Sequence, residues 1–273
     1  MGELKLEIIG EIQATSYFDV MKIGSTRPFI VNCGGSAYVS KAFDEVTENK
    51  HLINEFVCYH IAKLLDLPIP EANLIIIDDS FIESVPELRA RDIRSKVLFG
   101  SKLVERAQSN VTPPFLERIK NKEDIPSILL FDQIVYNNDR ANNDGNLLID
   151  LKSNMLVALD HTHVFKDGLI WTEHSLPKIN DEKGYLIDNF HGKYYKMLQR
   201  YVTGHNPFNK VKHTLTLIRV ENISLIVDSI PLEWGITDNE KLELKRFLWH
   251  RISNVDEIFK RIKQECPQWK GVI

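Results

Sequence analysis

Cysteine is scarce in this chain. Cys33, Cys58 and Cys266 are the only three in 273 residues. They are too widely spaced for a CxxC pair, which argues against a zinc knuckle or a disulfide framework and fits a reducing compartment. Long apolar runs are missing as well. None approaches the ~20 residues of a membrane span, and Met1 to Gly10 has no apolar core of signal-peptide length; the expected localisation is cytoplasmic. There is no basic excess either. Lys and Arg number 34 against 38 Asp and Glu, a net charge of -4, whereas a general nucleic-acid binder concentrates cations against phosphates. Repeats and low-complexity tracts are absent. So are HExxH, the GxSxG elbow, GxxxxGK[ST] and any recognisable cysteine-nucleophile signature. What remains is an ordinary globular composition, 43% apolar and 26% charged, long enough for one large domain or two lobes with a sizeable core.

The pattern along the chain changes near residue 103. Before it, Phe29-Ile30-Val31 and Ala37-Tyr38-Val39 are β-prone runs joined by the turn residues Cys33-Gly34-Gly35-Ser36, which predicts a hairpin with Lys41 ending its second strand. A helix follows from about Lys50, with Ile53, Phe56, Val57, Ile61, Leu64 and Leu65 at helical spacing. It stops at Leu67-Pro68-Ile69-Pro70. Leu74 to Ile77 reads as a buried strand, residues 80 to 96 as irregular, and Val97 to Ser101 as a strand entering a connector. After residue 103 the pattern is helical: one helix with Asp124 as N-cap and Pro126 in its first turn, and a last long one bearing Leu244, Phe247, Leu248, Ile252, Val255, Ile258, Phe259 and Ile262. The expectation is an α+β protein with a strand-rich lobe over 1–103, a helix-rich lobe over 104–273 and a polar cleft between them. Trp171, Trp234, Trp249 and Trp269 read as core or lobe-packing residues.

Residues 134–165 concentrate the chemistry. A polar loop, Asn137 to Asn146, precedes the apolar run Leu147-Leu148-Ile149; a turn at Lys152-Ser153-Asn154 leads back through Met155 to Leu159, which runs into Asp160. Pairing of the two runs would bring Asn146 and Asp160 together, and Val157-Ala158-Leu159 reads as buried, so that Asp160 needs a partner or a metal. A calcium loop fails here, because Arg140 would hold its first ligand position and Leu151 its last. Phosphoryl transfer from ATP needs few protein groups: a carboxylate for the acceptor hydroxyl, two oxygen ligands for Mg²⁺, a lysine for phosphate charge steadied by a helix carboxylate, and a loop of backbone N–H groups. The candidates are Asp139 as base, Asn146 and Asp160 as metal ligands, Lys41 with Glu55, and the loop Gly24-Ser25-Thr26-Arg27-Pro28. Each has an ordinary alternative: a loop-turning Asp, a solvated strand-end Lys, a wet-face Glu, a plain glycine turn. His161 and His163 read as structural.

These residues carry a resemblance. Ser25-Thr26-Arg27-Pro28-Phe29-Ile30-Val31, the helix segment Asn54-Glu55-Phe56 through Leu67-Pro68-Ile69-Pro70, and the series Asn137-Asn138-Asp139-Arg140, Asn146-Leu147-Leu148 and Leu159-Asp160-His161 resemble the HipA-like kinase family, which is related to phosphatidylinositol kinase-like and protein kinase-like folds. The resemblance covers most of residues 20 to 165 and implies a two-lobed protein-kinase-like fold. It also implies an ATP- and Mg²⁺-dependent phosphotransferase with Asp139 as catalytic aspartate, Asn146 and Asp160 on metal, and Lys41 and Glu55 on the phosphate side. The connector after Val97 would then be the hinge that reads adenine. Two departures stand out. Related loops place the metal Asn five residues after the Asp, where this chain has Asp144, and Asn146 is the seventh; both stay candidates for the metal. Asp160-His161-Thr162 replaces Asp-Phe-Gly, so a protein-kinase-type activation switch is not expected. The acceptor is open between protein Ser/Thr, lipid and small molecule. The alternatives are a pseudokinase scaffold acting through a protein partner, and AMP transfer by a kinase-like fold.

Overall fold

The computed structural model describes residues 5–21, 24, 26–45, 47–182 and 184–272. Strands β1 (Glu11–Gln13), β2 (Ser16–Val20), β3 (Phe29–Cys33), β4 (Ser36–Lys41), β5 (Ala72–Ile76) and β6 (Val97–Lys102) form one sheet in the order β1-β5-β6-β4-β3-β2. Only β1 against β5 is parallel. The predicted hairpin is present: Cys33 pairs with Ser36 across a two-residue turn in which Gly34 and Gly35 both take positive φ, 58° and 83°. Glycine adopts that conformation without steric cost, and it matches the strand twist.

Alternation along the strands divides the sheet into two apolar faces. Phe29, Val31, Ile75 and Leu98 pack in one cluster with Val85 and Leu88. Helix α1 (Lys50–Leu64) packs in the other with Leu74 and Phe99. Residues 80–96, expected to be irregular, hold two short helices, α2 (Asp79–Ser84) and α3 (Pro86–Arg89). The Asp78 side chain caps α2 by accepting from the Phe81 N–H at 2.7 Å, a local bond that the charge-rich composition hides.

Strand β7 (Ala107–Gln108) leaves the first sheet and pairs with β8 (Leu147–Asp150), which pairs with β9 (Met155–Ala158) as the expected hairpin. Val157 and Leu159 are half-buried rather than buried, because this small sheet is covered less completely. The helices are α4 (Pro113–Leu116), α5 (Ile125–Ile134), α6 (Ser175–Asp181), α7 (Lys193–Gln199), α8 (Asn209–Leu215), α9 (Val220–Asp228), α10 (Asp238–Ser253) and α11 (Val255–Glu265). Two expectations change here. Asp124 does not cap α5 with its side chain; its carboxylate instead accepts from Asn121 Nδ2 at 3.2 Å and Lys210 Nζ at 2.9 Å. The last long helix is two, α10 and α11, interrupted at Asn254. The Asn254 side chain donates to the His250 carbonyl at 2.8 Å, a side chain competing with the helical ladder. Trp171, Trp234 and Trp269 are buried as expected, and the three cysteines are free and buried. Among the described residues no helix is long and apolar enough to cross a membrane.

Helix α1 organises the molecule, since every residue in it except Lys63 is buried. Its polar side chains must therefore find partners inside the protein. His60 is fully buried. The Ile9 N–H donates to its Nε2 at 3.2 Å, so Nδ1 carries the proton and donates to the Phe56 carbonyl at 2.7 Å. The ring is thus satisfied when neutral. Burial pushes its pKa down from 6.5 to about 4; burial, then the charge of Lys41, takes His51 down to about 4 as well. The unfolded chain binds these protons near pH 6.5 and the folded chain only near pH 4. Stability is therefore complete above that window and is lost as pH falls through it, by about 3 kcal/mol per histidine at most. A melting temperature that drops steeply between pH 6.5 and pH 4, with a shallower slope in His60→Gln, is the expected outcome by circular dichroism; equal slopes would refute a neutral buried His60.

Candidate active site

At the end of β4, Lys41 is brought against α1 and against the residues that follow β9. Its ammonium lies 2.5 Å from Glu55 Oε1, 3.0 Å from Asp160 Oδ1 and 2.8 Å from Thr162 Oγ1. The strand-end Lys is thus not solvated, and Glu55, 4% exposed, is not on a wet face. Burial pulls the Lys41 pKa down, but Asp160 and Glu55 outweigh it and hold it above the ordinary lysine value. Burial pushes the Glu55 pKa up; Lys41, then a hydrogen bond from His161, outweighs this and keeps it well below the usual carboxylate range. Glu55 Oε1 also accepts from the His161 N–H at 3.0 Å and the Thr162 hydroxyl at 3.1 Å. One carboxylate oxygen thus gathers a strand end and the turn after β9. The Asp160 side chain is 37% exposed, less buried than its strand suggested, and its backbone sits at φ 56°. Left-handed backbone is costly for a residue with a Cβ and persists only where its surroundings impose it.

The loop after α5 folds as two short 3-10 turns, Asp139–Ala141 and Asp144–Asn146. They take up the two extra residues between Asp139 and the Asn, and they return Asn146 to Asp139. Asn146 Nδ2 donates to Asp139 Oδ2 at 2.7 Å, and Asn143 Nδ2 does the same at 3.0 Å. Asn146 is fully buried, yet its Oδ1 has no partner. Asp144 is exposed. Hairpin pairing sets Asn146 opposite Leu159, whose N–H donates to the Asn146 carbonyl at 3.2 Å, and Asp160 follows one residue on. Among the described residues no three His, Cys, Asp or Glu gather as a metal cluster.

On the other side of Lys41, Gly24 takes φ 107° in the β2–β3 connection, where a Cβ would lie 3.3 Å from Pro28 Cδ. Arg27 Nη2 is held by Asp44 at 2.7 Å. Thr26 is buried, and Ser25 lies outside the described residues. An open cleft of about 690 Å³ borders Asp139; Asn138, Asp139 and Asp144 line it together with His163, Lys166 and Asp167, and no apolar side chain is among its lining residues. A second cavity of about 510 Å³, around Thr203 and Lys270, contains none of the candidate residues.

Sequence reasoning missed what holds the loop. Arg140, 0% exposed, donates from Nε to Asp132 Oδ2 at 2.8 Å and from Nη1 to the carbonyls of Asn146 and of Leu159, the latter at 3.0 Å. Its Nη2 donates to His161 Nε2 at 2.9 Å, which leaves the His161 proton on Nδ1, 3.7 Å from Glu55 Oε2. Asp132 also takes Asn137 Nδ2 at 3.1 Å, and the Tyr195 hydroxyl lies 3.0 Å from Asp132 Oδ2 and 2.8 Å from the Asn137 carbonyl. The one available signal was Asp132 itself, a lone acid in the apolar run Ile128 to Val135. A second guanidinium, Arg251, is 1% exposed and donates to the carbonyls of Gln133, Gly184 and Tyr185. Burial lowers its pKa to about 10.

A family model described as HipA-like kinase matches residues 15–266. Among solved structures, the chain is similar to a Helicobacter pylori proinflammatory kinase, CtkA. The match has 16% identity and a TM-score of 0.56, and it covers 93% of this chain and 98% of that one. It shows the fold, a two-lobed kinase-like α+β arrangement. No curated protein matches the sequence.

Removing one partner of a buried, hydrogen-bonded ion pair strands the other charge, at about 3–5 kcal/mol. Arg140→Met is expected to lose about that much in urea denaturation, and Arg140→Met with Asp132→Leu less than the sum of the two single changes. Additive losses would show that the pair is not coupled.

Proposed function

The chain belongs to the HipA-like kinase family, and we propose that it is an ATP- and Mg²⁺-dependent phosphotransferase whose site joins the Lys41–Asp160 pair to Asp139. One observation carries this reading: a single ammonium bridges Glu55 on α1 and Asp160 after β9, the arrangement that phosphate binding beside a metal requires. In this reading 1–103 is the nucleotide-binding lobe, the connector after β6 reads adenine through backbone groups, and 104–273 carries the catalytic loop and metal ligands.

The donor set fits a hard cation. Asn146 Oδ1 is a buried oxygen without a partner, and the hydrogen bonds of Asp160 fall on Oδ1 alone; amide and carboxylate oxygens together with phosphate oxygens are what Mg²⁺ takes. Asp144, exposed and outside the Asp139–Asn146 pair, is the weaker candidate. Mg²⁺ held there would supply neutralisation of the charge on the terminal phosphates. Lys41 offers a fixed positive charge to the nucleotide, kept protonated by its two carboxylates. The backbone around Gly24, Ser25 and Thr26 is the proposed phosphate cover. Asp139 receives amide hydrogens on Oδ2 only, so Oδ1 is left to accept the proton of an acceptor hydroxyl, in the role of general base. The lengthened loop, the motive for a scaffold reading, does not separate Asp139 from Asn146, and this favours an active site.

Millimolar ATP with Mg²⁺ is expected to raise the melting temperature by mass action, and Mg²⁺-dependent ATP turnover is expected to vanish in Asp160→Ala. Asn146→Ala should cost about 100-fold, the scale of losing one preorganised electrostatic group, while Asp144→Ala leaves turnover nearly unchanged. A thermal shift without turnover would favour the scaffold; no shift would sink the nucleotide reading. Mass spectrometry of a labelled product separates phosphate from AMP transfer.

A further inference from the structure

Beside Glu55, α1 carries another buried polar side chain that the proposed chemistry does not use. Asn54 is 0% exposed. Its Nδ2 gives one hydrogen to the Thr162 carbonyl at 2.7 Å and the other to the Gly168 carbonyl at 2.9 Å. Its Oδ1 accepts from the Trp171 indole at 2.8 Å. All three partners lie in the segment that follows Asp160, so one amide fastens that segment near both ends. The adjacent Glu55 takes the His161 N–H and the Thr162 hydroxyl. One turn earlier, Lys50 lies 3.7 Å from the centroid of the Trp171 ring and pairs with Glu240 of α10.

Between the two points where Asn54 grips it, the chain turns sharply. Phe165 and Lys166 both take positive φ, 57° and 64°, and Gly168 takes 64° where a Cβ would lie 3.1 Å from His163 Nδ1. Backbone of this kind is held in place only by its surroundings. Alongside Asn54, the Phe165 N–H bonds the Val135 carbonyl at 2.8 Å, the Lys166 N–H bonds the Tyr136 carbonyl at 3.3 Å, the Lys166 ammonium pairs with Glu182, and the Phe165 ring packs edge-on against Phe247. The reward of the turn is geometric: His163, Lys166 and Asp167 line the same cleft as Asn138, Asp139 and Asp144.

We propose that Asn54 is a positioning residue that fixes segment 162–171 as the acceptor-side wall of the cleft. Through it, the helix that sets the Lys41–Glu55 pair also sets the residues that share a cleft with Asp139. The inference rests on the phosphotransferase reading, and it assigns a role to a residue that touches neither the nucleotide nor the proposed acceptor. Asp is the diagnostic replacement, because it has nearly the shape of Asn and still accepts from Trp171, but it sets oxygen against both carbonyls. Trp171→Phe removes only the third bond and leaves a ring.

The test is hydrogen exchange read by mass spectrometry on the full chain, with steady-state turnover of ATP and Mg²⁺ in parallel. In Asn54→Asp the amides of 163–168 are expected to exchange about tenfold faster for each hydrogen bond lost, while those of 56–64 stay protected. The kcat is expected to fall about 100-fold, the cost of a misplaced site wall, with KM for ATP unchanged; Trp171→Phe gives smaller changes of the same kind. Wild-type exchange over 163–168 would overturn the proposal. So would equal loosening of 56–64, which would make Asn54 a fold-holding residue only, and so would a rise in KM at constant kcat. Should the wild-type chain turn over no ATP, the phosphotransferase reading fails by itself. The exchange arm then decides alone: a freed segment in Asn54→Asp upholds the clamp, and an unchanged one removes it.

Discussion

A guanidinium without water is the constraint on which the site geometry depends. Arg140 must satisfy its N–H groups inside the protein, because an unpaired buried charge is among the most costly defects a fold can hold. It does so with Asp132 on α5, with the carbonyls of Asn146 and Leu159 at the two ends of the β8–β9 hairpin, and with the His161 ring. Helix, loop and hairpin are thereby tied to one planar group, and a rigid fork is better suited to this than a flexible ammonium. Arg251 ties the end of α5 to the chain after α6, donating to the Gln133 carbonyl on one and to the Gly184 and Tyr185 carbonyls on the other. No carboxylate stands among its hydrogen-bond partners, and burial lowers its pKa where Asp132 raises that of Arg140.

Helix α1 is the complementary element. A buried helix is ordinarily apolar all round, but this one carries Lys50, His51, Asn54, Glu55 and His60 inside the protein. Each is matched from a different part of the chain: Glu240 on α10, the Glu48 carbonyl, segment 162–171, Lys41 with the turn after β9, and Ile9 near the start of the described chain. A displacement of α1 would disturb all of these at once, so the helix cannot shift by degrees. Packed interiors favour discrete arrangements over continuous deformation.

Much of the architecture was legible because it rests on short-range rules. The Gly34-Gly35 hairpin, the extent of α1 and the β8–β9 hairpin follow from turn chemistry and periodicity, and the placement of Asn146 opposite Leu159, next to Asp160, follows from strand pairing. Lys41 and Glu55 could be named from their positions, but their burial could not, since it depends on Thr162 and His161, more than a hundred residues away. Arg140 and Tyr195 were illegible for the same reason, and Asp132 hinted only at a buried partner without naming it: nothing local distinguishes a loop-facing arginine from one that enters the interior. Asp124 and Asn254 went the other way. Local propensity named a cap and an unbroken helix, and side-chain bonds to Lys210 and to the His250 carbonyl prevailed.

The two 3-10 turns of the 139–146 loop have a consequence for how such chains are recognised. With Asp139 and Asn146 joined by a hydrogen bond and Arg140 holding the loop from inside, residues 142–145 stand exposed, and of these only Asn143 bonds back to the Asp139 carboxylate. Their number can drift while the ends stay put. The motif then works as a closed ring rather than as a ruler, and a search demanding a fixed gap between the acid and the amide would discard this chain as defective although its ends meet.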